Sequence, residues 1–230
     1  MINLQDFDRD GYAVIHGLLS PSETAAARGA AAAVYAEQPS AKAGVRDPLG
    51  RHPTLRRIAD APAVRAIAAA VLGPKAKIVR AILFDKTPDA NWDVVWHQDV
   101  TIAVEARHDV AGFGPWSSKG GVPHVQPPAA VLERMATVRL HLDDCGTGNG
   151  PLLVVRGSHR GGISDVRSLD PTACDAAAHA CAAPAGSAVV MRPLTLHASR
   201  KAITPAHRRV LHLEFAADEL PPPLRWRLTA

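Results

Sequence analysis

The chain has 230 residues, 47% of them hydrophobic and 4% aromatic, which is enough to bury one large core. Its net charge of +4 is scattered along the sequence, and few aromatics are available to stack on bases, so nucleic acid is not an expected partner. No stretch approaches the roughly eighteen uncharged apolar residues of a membrane span, so no membrane is expected either. The opening MINLQDFDRDGYAVI has neither a basic n-region nor a long apolar segment, and no signal peptide is expected from it. Cys145, Cys174 and Cys181 are odd in number and lack CxxC spacing, which suits a reducing, cytoplasmic setting better than a disulfide frame.

The first part of the chain, 1–75, reads as helical. Ser20-Pro21-Ser22-Glu23 supplies an N-cap, a proline at the first helical position and a Glu at the third, and ETAAARGAAAAVYAEQ continues as a strong helix former. TLRRIADAPAVRAIAAAVLG predicts further helix, interrupted at Pro62 and stopped by Gly73-Pro74, and QPSAKAGVRDPLGRHP between the two reads as loop. From residue 76 the period changes. KIVRAILFDK, DVVWHQDVTIAV, ATVRLHLDD, PLLVVRG, GSAVVMRP and RRVLHLEFA are short β-branched runs divided by turn residues. A helical start followed by many short strands predicts an α+β fold with a mainly β core, a sandwich or barrel. Residues 103–135, rich in Gly and Pro and carrying Trp116 and Gln126, form a connection long enough to act as a lid.

Three His-x-acid pairs fall on predicted strands: His97/Asp99, His141/Asp143 and His212/Glu214. Positions i and i+2 of a strand point to one side, so each pair has the geometry either to share a metal ion or simply to hydrogen-bond. About one such pair is expected by chance in this composition. A ferrous centre that activates oxygen needs two histidines and one carboxylate on one face, with the opposite positions open. His197, just after the strand ending at MRP, can supply the second histidine. Ser199 lies two positions beyond it and Arg208 eleven, at the start of the last strand, where a buried guanidinium is able to clamp a carboxylate. On the first long strand Arg80, Ile82, Phe84 and Lys86 share a side, so Arg80 or Lys86 can meet an anion if that side faces inward.

WHQD, then RLHLDDCGTGNGPLLVVRGSHRGG, then LTLHAS with an arginine eleven residues past its histidine, together resemble the phytanoyl-CoA dioxygenase-like family of Fe(II)- and 2-oxoglutarate-dependent oxygenases. The likeness runs from about residue 76 to the C-terminus, and DGYAVIHGLLSPSE resembles the family's opening. The resemblance implies a single domain over 1–230: a double-stranded β-helix (jelly roll, cupin-like) at 76–230, with the N-terminal helices packed on one side. It places His97, Asp99 and His197 on the metal ligands, Arg208 on the arginine that holds the far carboxylate of 2-oxoglutarate, and Ser199 on its hydroxyl helper. Arg80 and Lys86 remain further candidates for the cosubstrate. Halogenating relatives carry a small residue where this chain has Asp99, so hydroxylation or another oxidation, such as desaturation, of an unactivated C–H bond is implied. Fe(II), 2-oxoglutarate and O2 would be required, with succinate and CO2 released.

The substrate is expected to be a small molecule, polar or anionic, because Arg139, His141 and Arg80 lie on predicted inward faces. Trp116 and Gln126 would close over it. His141/Asp143 reads as a pair near the metal or facing the substrate, with a structural use nearly as fitting, and His212/Glu214 as a structural polar pair. Asn149, Gly150 and the Gly157-Ser158-His159 turn read as loop-shaping. Two other readings keep the same residues: a cupin-like metal protein or metalloenzyme that does not use 2-oxoglutarate, and a non-catalytic domain with structural histidines.

Overall fold

The computed structural model describes residues 2–38, 41 and 44–228. The N-terminal part holds α1 (Leu4–Asp10), β1 (Tyr12–Ile15), α2 (Pro21–Ala36), β2 (Val45–Arg46), α3 (Pro48–Arg51), α4 (Pro53–Ala59) and α5 (Pro62–Leu72). Ser20 and Glu23 form the reciprocal capping box that their spacing predicts, with Pro21 inside the first turn of α2. Pro62 opens α5 instead of kinking one long helix, because its ring is compatible with a first turn but not with an interior.

The helical reading of this part misses β1 and β2. Both are short and lack a long β-branched run, and both are strands only because the large sheet offers them an edge. The stretch read as loop between the two helices likewise contains β2 and α3; Pro39, Ser40, Lys42 and Ala43 of that stretch lie outside the described residues.

The rest of the chain follows as β3 (Lys77–Lys86), β4 (Val94–His97), β5 (Ile102–Ala103), β6 (Trp116–Lys119), β7 (Val122–Val125), α6 (Ala129–Glu133), β8 (Met135–His141), β9 (Leu152–Val155), α7 (Pro171–Ala176), β10 (Ala178–Cys181), β11 (Ala188–Met191), β12 (His197–Ser199) and β13 (Arg208–Ala216). Two antiparallel sheets dominate: β1-β11-β8-β13-β3-β2 and β10-β9-β12-β4. This is the jelly-roll arrangement, in which strands distant in sequence become neighbours and the two sheets face each other.

Alternation along the large sheet decides the rest. Leu211, Leu213, Phe215, Val138, Leu140, Leu142 and Leu83 join one core with Phe7, Val34, Leu55, Ile58 and Val64, so this face is covered by the helices. Residues of the opposite parity, including Arg80, Ile82, Phe84, Arg139, His212 and Glu214, line a cavity between the sheets. A polar lining at every second position is thus fixed by the same pleat that builds the apolar core behind it.

The connection 103–135 is structured. β5, β6 and β7 form a three-stranded sheet in the order β5-β7-β6, and a satellite core of Ile102, Val104, Val125, Leu132, Leu220 and Trp226 lies beneath it. Part of its glycine content serves a tight turn: Gly120 and Gly121, both at positive φ, join β6 to β7.

Candidate active site

β4 and β12 pair so that His197 sits directly opposite His97, and their ring centroids are 4.1 Å apart. Asp99, two residues beyond His97, is tied to the segment preceding β12 by its backbone N–H donating to the Pro193 carbonyl at 3.0 Å. One ligand atom from each of His97, Asp99 and His197 lies within 4.8 Å of the other two, close enough for one ion to bind all three. Each imidazole donates from Nδ1 to a backbone carbonyl, His97 to Val95 at 2.8 Å and His197 to Thr195 at 2.9 Å. Those bonds fix the tautomer and leave Nε2 of each ring as the free ligand nitrogen.

Protonation fits the same use. Burial pushes the pKa of His197 down to about 4, against the opposing pull of Asp99. Burial would raise Asp99, but His197, His212 and His97 beside it bring its carboxyl below the usual range. Asp99 Oδ2 is buried with no hydrogen-bond partner and lies 3.7 Å from His197 Nε2. A buried carboxylate oxygen left without a hydrogen-bond partner beside two imidazole nitrogens is costly unless a cation takes the position between them. The donor set therefore fits a divalent transition metal, and iron(II) within that group.

Gln98, between the two ligands, faces the other way and is 4% exposed. Its amide donates to the carbonyls of Leu194 at 2.7 Å and Gly162 at 2.9 Å, and accepts from Ser164 N–H at 2.8 Å. It thereby ties the ligand-bearing segment to the chain just before His197. Sequence reasoning passes over it because alternation only says that Gln98 points away, not what it meets.

Ser199, at the end of β12, and Arg208, at the start of β13, also line the cavity. Arg208, 4% exposed, donates from Nη1 to Ser199 Oγ at 3.0 Å and to the Gly150 carbonyl, while its Nε is buried and unpartnered. Ser199 Oγ in turn donates to the Gly150 carbonyl at 3.1 Å. Lys86, directly across the ladder from Arg208, is 1% exposed and reaches Ser199 Oγ at 2.9 Å and the Arg200 carbonyl at 2.8 Å, from behind the cavity wall. Burial, and then Arg208, lower its pKa to about 8. Two buried cations with no carboxylate bonded to either make a seat for an anion.

Gly150 is more than a loop-shaping residue. Its φ is +60°, and a Cβ there would lie 2.6 Å from the Arg200 carbonyl oxygen, so only glycine lets its carbonyl reach this cluster. Asn149 holds the turn, accepting from Ala206 N–H at 3.2 Å.

The cavity, about 250 Å³, is also lined by the apolar side chains of Ile82, Phe84, Trp92, Val94 and Leu152. Arg80 faces it but is already engaged, donating to Glu214 Oε1 at 2.8 Å. Arg139 donates to His212 Nδ1 at 2.8 Å, which leaves His212 Nε2 to donate to Glu214 Oε1 at 3.3 Å. His212 and Glu214 do pair as expected, but on the cavity wall and within a chain running from Arg80 to Arg139.

Several sequence expectations fall elsewhere. His141 shares the inward parity of Arg139 but is not on the cavity wall; both its ring nitrogens are buried without partners. Asp143 never meets it, because the strand ends at His141 and the carboxylate turns to a bidentate pair with Arg209 at 2.7 and 2.9 Å, joined by Arg28. Trp116 packs on the satellite core and lies under the Arg107 guanidinium, and Gln126 bonds through its backbone to Gly114 and Pro115. Neither lines the cavity. The residue of that insertion that does is Lys119, which no motif in the sequence marks. Lys119 stands three positions after Trp116 on β6 and so projects from the opposite face.

The chain matches the family model for phytanoyl-CoA dioxygenase over residues 7–210. No curated protein matches it in sequence. Among solved structures it is similar to EctD from S. alaskensis in its apoform, with 24% identity and a TM-score of 0.73, covering 97% of this chain and 80% of that one. It is similar to the non-heme alpha ketoglutarate dependent carbocyclase SnoK from nogalamycin biosynthesis at 18% identity and TM-score 0.72, covering 94% and 83%. It is also similar to HygX from Streptomyces hygroscopicus with nickel and 2-oxoglutarate bound, at 15% identity and TM-score 0.68, covering 94% and 87%. These likenesses show a shared fold; the family match, which spans most of the sequence, shows descent. The chain belongs to the phytanoyl-CoA dioxygenase family and is a 2-oxoglutarate-dependent non-haem iron enzyme.

Proposed function

We propose that this enzyme oxidises an unactivated C–H bond of a small-molecule metabolite, by hydroxylation in the first instance, and that residues 1–230 act as one oxygenase domain. The observation that carries this reading is the shared cavity: His97, Asp99 and His197 on one part of its wall, and Arg208 with Ser199 on another. When bound, iron(II), 2-oxoglutarate and O2 would supply the oxidising chemistry, one oxygen atom of O2 ending in the succinate formed as 2-oxoglutarate loses carbon dioxide and the other serving to oxidise the substrate.

The protein's part is positional. His97 and His197 present Nε2 because their Nδ1 protons are committed to backbone carbonyls, and Asp99 supplies the anionic ligand. Retention of that carboxylate is what favours hydroxylation or desaturation over halogenation. Arg208 and Ser199 hold the far carboxylate of 2-oxoglutarate, with Lys86 adding charge from behind. Ile82, Phe84, Trp92 and Leu152 keep water from the reacting bond.

Among the described residues no helix is long and apolar enough to cross a membrane, and Cys145, Cys174 and Cys181 are all buried and free. Free thiols accord with a cytoplasmic setting.

Anaerobic addition of Fe(II) and 2-oxoglutarate is expected to give a weak visible charge-transfer band, and admission of oxygen to give succinate. A protein that shows neither, in a folded and metal-loaded preparation, is not this enzyme.

A further inference from the structure

The reading above accounts for the cations around Arg208, but not for those across the cavity. Arg46 on β2, Arg80 on β3 and Lys119 on β6 come from three separate parts of the chain and line the same cavity as the ligand triad. Their charges are poorly matched. Arg80 is paired with Glu214, but Lys119 donates to the neutral hydroxyl of Thr101 at 2.8 Å, and Arg46 Nη1 is buried with no hydrogen-bond partner. Burial lowers the pKa of both, and Arg80 lowers each further. The β6–β7 turn closes on this cluster: at Gly120, φ +61°, a Cβ would lie 3.2 Å from Arg46 Cδ, so glycine lets the hairpin rest against that side chain.

A second cavity of about 290 Å³ adjoins the first. It shares Arg46 and Arg80, and is lined beyond them by Val79, Ala81 and Val122. Arg46 and Arg80 therefore stand where the two spaces meet, with Lys119 on the wall of the first alone. Arg46 and Lys119, neither bonded to a carboxylate, stand beside the paired Arg80 in a partly dry cavity, where like charges repel each other and favour a ligand that brings negative charge.

We infer that Arg46, Arg80 and Lys119 form a substrate subsite, and that the substrate is a small molecule carrying a carboxylate or phosphate which docks on them while its body reaches toward the His97–Asp99–His197 centre. The inference rests on the oxygenase reading, because it assigns 2-oxoglutarate to Arg208 and so leaves this cluster to a second anion.

The test uses full-length protein loaded with Mn(II) and saturated with 2-oxoglutarate, so that the Arg208 seat is filled. Acetate and inorganic phosphate are titrated in separate arms, and binding is read as a rise in Tm. One or both are expected to stabilise the wild type, and the stronger arm tells carboxylate from phosphate. Arg46→Gln combined with Lys119→Met is expected to weaken that binding by on the order of ten- to a hundredfold, as loss of charge-assisted bonds implies. The affinity of the same variant for 2-oxoglutarate, read with Fe(II) from the charge-transfer band, is expected to stay within about threefold of wild type, given the screening between separate sites. No stabilisation of the wild type by either anion, or equal stabilisation of the variant, overturns the subsite. So does a fall in 2-oxoglutarate affinity matching that of an Arg208 variant, since the cluster would then hold the cosubstrate. Absence of the band in wild type would instead defeat the oxygenase reading, and leaves the anion titration to stand or fall by its own result.

Discussion

The two polar walls of the cavity are built on different terms. On the β4–β12 side the donors are committed to the backbone: both imidazole Nδ1 atoms, the Ser199 hydroxyl and the Gln98 amide all donate to main-chain carbonyls. What remains free there is the set of ligand atoms a metal would use, with Arg208 reaching Ser199 from the start of β13. On the opposite side the side chains answer mainly to one another, with Arg80 on Glu214, Glu214 on His212 and His212 on Arg139, and with Arg46 and Lys119 left over. Main-chain anchoring gives a fixed geometry, as binding of a metal and a common cosubstrate requires. A side-chain network is set by few residues and changes readily between relatives, which suits the part of the site that chooses a substrate.

The largest expected effect breaks the first wall at its centre. His197→Ala should abolish succinate formation and the stabilisation by Mn(II), which in wild type amounts to about 2.7 kcal/mol at a hundredfold excess over Kd. A variant that keeps the full Mn(II) shift would show that the triad does not hold the ion. Next, Arg208→Met retains bulk and removes the charge. Its KM for 2-oxoglutarate should rise by on the order of ten- to a hundredfold with Mn(II) binding retained. An unchanged KM would favour a cupin-like enzyme that works without this cosubstrate.

Gln98→Leu probes whether anchoring itself matters. It touches neither metal nor substrate, yet loss of its bonds to Leu194 and Gly162 should lower metal affinity by on the order of tenfold. Calorimetric titration with Mn(II) would reveal this, and an unaltered affinity would reduce Gln98 to a packing role.

A separate test concerns His141, which lies outside both walls and bears on stability and not on activity. Burial, aided by Arg139 and Arg208, depresses its pKa from 6.5 to about 3. The folded state therefore keeps it neutral, and its contribution to stability is whole above pH 6.5 and is lost as pH falls from there toward 3. The cost is at most about 1.4 kcal/mol per pH unit for one proton. His141→Leu should flatten the acid limb of Tm against pH in that window, and an identical limb in the variant would assign the acid sensitivity to other groups.

Much of the first wall is legible without coordinates. His97 and Asp99 share a strand face by simple alternation, and the spacing of His197, Ser199 and Arg208 carries the family's pattern. The second wall is not legible. Alternation gives the parity of Arg139, Arg80 and His141 correctly, yet cannot say that His141 lies off the cavity wall while Arg80 is already paired. The insertion shows the limit most clearly: Trp116 and Gln126 are its conspicuous residues, and the one that reaches the cavity is Lys119.

What the amino-acid order determined by itself was therefore local. The helix start at Ser20, the break at Pro62, the two-residue period of the strands and the side of the sheet each residue faces all follow from dihedral preference and the pleat. Tertiary structure alone decided which distant strands became neighbours: β1 and β2 at the edges of the large sheet, His97 across from His197, and Arg46 beside Arg80 and Lys119. Such pairings depend on the apolar area buried and ladder bonds made over the whole fold, and a window of sequence does not contain those quantities.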